Sequence, residues 1–202
     1  MHHKYLNRAR YIKNLLISFF IVLFLIIPSN ASELKIDETI VISGDPSVFY
    51  INGRITKDTW TRFVIAVTSR KIKTVDLNSF GGFVSYAKSI ATFIKLRKID
   101  TRVSKYSGCF SACVMIFQAG KNRIAHANAV FMLHPVSVKR AGDTKYTKNK
   151  KATNDFFAWL VENGLKKSAL PRLKKDRAIY FTAEFAKFFG VATKIVGKTV
   201  EK

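Results

Sequence analysis

Apolar and polar positions alternate along this chain in short runs, each of which reads as one element. From Phe83 to Arg97 the apolar residues Val84, Ala87, Ile90, Ala91 and Ile94 recur at the spacing of one helix face, which predicts an amphipathic helix. Three earlier runs rich in β-branched or aromatic residues predict strands: Thr39 to Ser43, Val48 to Ile51, and Lys73 to Leu77. The second leads into the turn-forming pair Asn52-Gly53, and the third stops at Asn78-Ser79-Phe80-Gly81-Gly82. A short helix is expected near Asp58 to Thr68. After a further strand, Thr101 to Val103, the segment GCFSACVMIFQAG turns at Gly108 and becomes a helix ending at Gly120, so apolar that it must be buried.

Asn122 to Ala129 reads as a turn-rich connection. VFMLH then predicts a strand with Val130, Met132 and His134 on one face, so that His134 stands where a strand ends. Past Pro135 the chain turns polar and basic, with helices expected around Asn154 to Asn163 and Ala183 to Phe189. Alternation of strands and helices with short connections implies an α/β fold with mainly parallel pairing. Ligands in such folds collect at the carboxyl ends of the strands. The NSFGG segment, the Ser111 turn and His134 all fall at such ends.

The amino terminus follows different rules. MHHKYLNRARYIKN carries four Lys/Arg and no acid, and LLISFFIVLFLIIP has no charge at all, which is the layout of an export signal. The apolar run is shorter than the roughly 20 residues of a membrane-spanning helix, and Ser29-Asn30-Ala31 offers a small-x-small cleavage site. Residues 1–31 are therefore expected to be a signal peptide, cleaved after Ala31 or retained as an anchor. Residues 32–202 suit a single domain outside the cytoplasm, periplasmic or secreted. The formal charge of +22 favours acidic partners. The basic runs Lys139 to Lys151 and Lys166 to Arg177 lack the interleaved aromatics of a single-strand-binding groove, so no nucleic acid is expected. They read as a solvated face, with an anionic envelope surface as the alternative contact.

Candidate chemistry is sparse. Of four histidines, His2 and His3 lie in the leader, so a histidine base is His126 or His134; His126 sits in a polar turn and reads as exposed, while His134, at the end of an apolar strand, reads either as a base or as a satisfied semi-buried histidine. Ser111 lies between a strand and a helix, where a hydroxyl can be exposed beside backbone N–H groups. A helix-capping serine is the competing reading. Cys109 and Cys113 are the only cysteines and flank Ser111 at a spacing of four in an exported chain. Two readings stay open: a disulfide, or two buried free thiols. No metal site or organic cofactor is expected.

Taken in order, NSFGG at 78–82, GCFSAC at 108–113, AGKNRIAHANAVFMLHP at 119–135 and FTAEFAKFFGVATKIV at 181–196 resemble the proteolytic subunit of the Clp protease, within the Clp/crotonase superfamily. The resemblance runs from about Ile51 to Val196. It implies a Clp protease/crotonase-like superhelical β-β-α domain, with Ser111 as nucleophile, His134 as general base, and the backbone N–H groups of Gly82 and Ala112 as the oxyanion hole. Two departures stand out. Phe80 replaces the family's proline, and Ala178 falls where the family has its catalytic aspartate. Asp176 is the nearest carboxylate and Asp155 a more distant one; a Ser–His dyad and a catalytically silent descendant are the other readings.

The expected function is an exported serine peptidase or related hydrolase acting on peptides or proteins. Two further expectations come with it. The resemblance implies self-association through the segment after His134, and the export signal implies no ATP-driven unfoldase. A non-catalytic binding or scaffolding protein keeping the fold is the rival. A Ser–Lys site using Lys88, Lys95 or Lys105 is a weaker alternative, and a crotonase-type acyl-CoA enzyme the weakest.

Overall fold

A computed structural model describes residues 45–139, 141–174 and 176–197. The leader and the expected strand Thr39 to Ser43 lie outside the described residues. The elements are β1 (Val48–Ile55), α1 (Lys57–Ser69), β2 (Thr74–Gly82), α2 (Val84–Arg97), β3 (Asp100–Val103), β4 (Gly108–Phe110) and α3 (Cys113–Gln118). They continue with β5 (Arg123–His126), β6 (Val130–Leu133), β7 (Ser137–Val138), β8 (Thr147–Lys148), α4 (Lys150–Glu162), a 3-10 turn and α5 (Leu170–Leu173), β9 (Ile179–Thr182), α6 (Ala183–Phe188) and β10 (Lys194–Val196).

Among the described residues, one eight-stranded sheet runs β10-β5-β3-β2-β4-β6-β9, with β1 alongside β2. Its pairings are parallel except β6 with β9. The organising strand is β2. Its first half, Thr74 to Asp76, pairs with β3, its second half pairs with β4 through Ser79 opposite Cys109, and β1 follows its whole other edge. The sheet therefore divides at β2 into two curled leaves. Helix α3 fills the angle between them, with every residue from Ala112 to Gly120 buried. The helix face read from the 83–97 pattern is the one that packs: Ala87, Ile90, Ala91 and Ile94 are all fully buried. Burial of such side chains contributes about 1.5–3 kcal/mol each for the larger aliphatic ones.

Four expectations need correction. Asn52-Gly53 is not a turn between elements; it is a bulge inside β1, where the register shifts between Asn52 and Arg54 and Gly53 takes φ +80°. The NSFGG segment is not a turn either. It continues β2 to Gly82, because β1 supplies ladder partners as far as Ile55. The apolar run after Gly108 begins as a strand: Asn78 Oδ1 accepts from Gly108 N–H at 3.1 Å, and Gly108 to Phe110 pair with Val130 to Met132, so the helix starts only at Cys113. Within the supposed connection 122–129, Arg123 to His126 form β5, paired with β3 and β10. Arg123 looks like a loop residue in sequence, but its guanidinium donates to the carbonyls of Val191 (2.8 Å) and Gly190 (3.2 Å), and half-burial pulls its pKa below the usual arginine value.

Candidate active site

The NSFGG residues each have a separate structural task. Asn78 anchors β4. The Ser79 hydroxyl donates to Gly53 O across the bulge at 2.6 Å and accepts from Gly81 N–H at 3.1 Å, which fixes the end of β2. Gly81, at φ +86°, lies so close to the Ser111 turn that a Cβ there would meet Phe110 O at 2.6 Å, Ser111 Cβ at 2.8 Å and Ala112 N at 3.1 Å. Only glycine fits that approach. Phe80 is 76 % exposed and leans on Phe110, with ring centroids 6.2 Å apart, so the residue that departs from the family motif points to the surface.

Ser111 sits between β4 and α3 with φ +56°, a left-handed conformation that costs a non-glycine residue about 1–2 kcal/mol. Its N–H donates to Met132 O at 2.7 Å, which ties the serine to β6 two residues before His134. Helix α3 has no side-chain cap, and Ser111 Oγ holds no hydrogen bond among the described residues. The capping role is therefore not what this hydroxyl does. Ser111 and His134 line the same open groove, of roughly 700 Å³, together with Gly81 and Gly82. No hydrogen bond joins the two side chains; contacts between a nucleophile and its base often tighten only in the substrate complex.

The imidazole of His134 is oriented by the main chain. Its Nδ1 lies 2.6 Å from Pro135 O. A carbonyl can only accept, so the neutral ring carries its proton on Nδ1 and keeps the lone pair on Nε2. That is the tautomer a general base needs. Asp176 does not lie in this arrangement: its carboxylate is 85 % exposed and accepts from Lys148 Nζ at 2.9 Å. Asp155 is paired with Lys151 at 2.7 Å, one helical turn away on α4, and that contact raises the Lys151 pKa. The alternative lysines are also placed elsewhere. Lys95 donates to Asn163 Oδ1 at 2.7 Å, Lys105 lies 4.9 Å from the Tyr106 ring centroid, and Lys88 is exposed on α2.

Ala112 N lies against the end of β2, 3.1 Å from where a Cβ on Gly81 would stand. Ala112 N–H is fully buried and has no acceptor among the described residues, an uncommon state for a main-chain donor. The ladder bond beyond Gly82 belongs to its neighbour, Phe83 N–H to Ile55 O at 3.0 Å, so successive N–H groups alternate and that of Gly82 faces away from β1. Cys109 and Cys113 bracket the serine with their sulfurs bonded, Cα to Cα 5.3 Å, and both are fully buried. His126 is remote in role: its Nδ1 accepts from Asn128 N–H at 3.1 Å within the β5–β6 turn. Among the described residues no cluster of His, Cys, Asp and Glu could hold a metal ion.

A curled, mainly parallel sheet with a buried central helix and a groove at its strand ends defines a Clp/crotonase-type α/β domain. The Clp protease family profile matches residues 38–199, and the chain belongs to that family, a family of peptidases. Among solved structures it is similar to ClpP1 from Listeria monocytogenes, at 20 % identity and a TM-score of 0.56, covering 77 % of this chain and 94 % of that one. It is similar also to the membrane-bound stomatin-specific protease 1510-N in a mutant form, at 19 % identity and a TM-score of 0.59, covering 76 % and 80 %. At such identities these likenesses speak for the fold alone. No curated protein matches the sequence significantly.

Proposed function

We propose that this chain is a serine peptidase working through a Ser111–His134 dyad, exported from the cytoplasm and independent of ATP. The observation that carries the reading is the hydrogen bond from His134 Nδ1 to Pro135 O, which leaves Nε2 as a base in the groove that Ser111 lines. The main-chain carbonyl takes the orienting part that an aspartate plays in a triad. In the reaction, Nε2 removes the Ser111 Oγ proton as the oxygen attacks a peptide carbonyl. The resulting oxyanion accepts from Gly82 and Ala112 N–H, and His134 returns the proton to the leaving amine. Water, deprotonated by the same Nε2, then releases the acyl group and restores the serine.

Export is supported by the basic and then uncharged leader of residues 1–31, and separation from cytosolic ATP follows from it. Full-length protein in the soluble cytoplasm would contradict that part. For the chemistry, the test is hydrolysis of unfolded protein or short peptides by wild type, Ser111→Ala and His134→Ala. Because nucleophile and base act as one unit, each variant should lose about as much as the double variant. A Ser111→Ala protein as active as wild type would refute the reading.

A further inference from the structure

The groove around Ser111 has two walls of unlike origin. One is the end of β1 and β2, with Arg54, Phe80 and Phe83; the other is the β7–β8 hairpin region, with Val138, Lys139 and Tyr146. Among the described residues, Arg54 and Lys139 are its charged lining groups, and no carboxylate lines it. Neither cation is neutralised within the described protein. The ion pairs there involve Arg62, Arg102, Lys148 and Lys151, while the Arg54 guanidinium lies over the Phe83 ring, 5.5 Å from its centroid. A cation resting on an aromatic face has part of its water replaced by the ring, and it keeps its charge for an incoming anion.

We propose that the groove selects peptide segments carrying an acidic side chain beside an apolar one, a substrate class that rests on the reading of this groove as the peptide site. Successive side chains of an extended peptide point to opposite sides, so one can lie on Phe80, Val138 or Tyr146 while its neighbour meets Arg54 or Lys139. Gly82 N–H, turned away from β1, supplies a main-chain donor that a peptide carbonyl satisfies. A basic side chain at the same place would face two unpaired cations.

The test measures binding of two fluorescent peptides, identical except for Glu or Gln at one position next to a Phe, to the full-length Ser111→Ala protein by anisotropy. Hydrolysis of the same peptides by wild type is followed in parallel. The Glu peptide is expected to bind about fivefold more tightly, the size expected of partly exposed ion pairs, with the preference weakening as salt is raised. Arg54→Gln/Lys139→Gln should abolish it. Lys71→Gln/Arg97→Gln, which removes the same net charge from exposed sites outside the groove, should keep it. Equal affinities alongside continued hydrolysis of both peptides would overturn the acidic selectivity and leave the peptidase standing. A preference lost equally in the Lys71/Arg97 variant would overturn it too, by assigning the effect to net charge. Arg54- and Lys139-dependent binding of an oligothymidine instead of the Glu peptide would replace it with a nucleic-acid groove. Absence of binding together with absence of Ser111-dependent hydrolysis would bring down both readings.

Discussion

Lys148 Nζ holds the carboxylate of Asp176 at 2.9 Å, and this pair lies on the surface with the aspartate 85 % exposed. An orienting aspartate in a serine-protease triad is worth about four orders of magnitude in turnover, whereas an exposed ion pair contributes about 0–1 kcal/mol to stability. Asp176→Asn should therefore leave kcat within about twofold of wild type and thermal stability nearly unchanged. Steady-state kinetics on any hydrolysed peptide checks this. A loss of a thousandfold or more would place Asp176 in the catalytic unit after all.

The left-handed backbone of Ser111 is a local conformational cost. Replacing it with glycine, which adopts φ +56° freely, should stabilise the fold by about 1 kcal/mol while removing all hydrolysis. Ser111→Ala should also be inactive, but without the gain. Denaturant melts of the two variants give the comparison; equal stabilities would mean that Ser111 is not strained.

Gly81 and Gly53 offer a paired contrast, since both have φ near +80° but only Gly81 has neighbours where a Cβ would stand. Gly53→Ala should cost about 1 kcal/mol from conformation alone and keep the site intact. Gly81→Ala should push the Ser111–Ala112 turn aside and abolish activity even if the protein stays folded. Matching activity in the two variants would contradict the close approach that the structure places there.

The Cys109–Cys113 bond closes a small loop around Ser111. By the chain-entropy relation such a loop is worth about 2 kcal/mol, or about 4–8 °C in Tm for a domain of this size. Cys109→Ala/Cys113→Ala should show that loss, and mass spectrometry of unreduced protein should find the two thiol hydrogens missing. Two free thiols in protein taken from an oxidising compartment would dispose of the bridge.

Helix α2 was legible in the sequence because five apolar residues repeat at one period and nothing interrupts them. The NSFGG and Ser111 segments were legible as landmarks, but not as strands. β4 and β5 are three and four residues long, and their pairing partners, Val130 to Met132 and Lys194 to Val196, come from distant parts of the chain. No local pattern announces them. The basic run after Pro135 looked like a solvated face, and composition alone does not reveal that Ser137-Val138 pairs with Thr147-Lys148 to wall the groove. The partner of His134 was hidden for a related reason: every residue has a carbonyl, so only the folded chain shows that the one at Pro135 meets Nδ1.

If Ser111 is a nucleophile activated by His134, an active-site-directed fluorophosphonate reports it without any natural substrate. One covalent adduct is expected on wild-type protein, mapped by peptide mass spectrometry to Ser111, absent from Ser111→Ala and strongly slowed in His134→Ala. Folded wild-type protein that takes up no probe, or takes it up equally well when Ser111 is alanine, would contradict it.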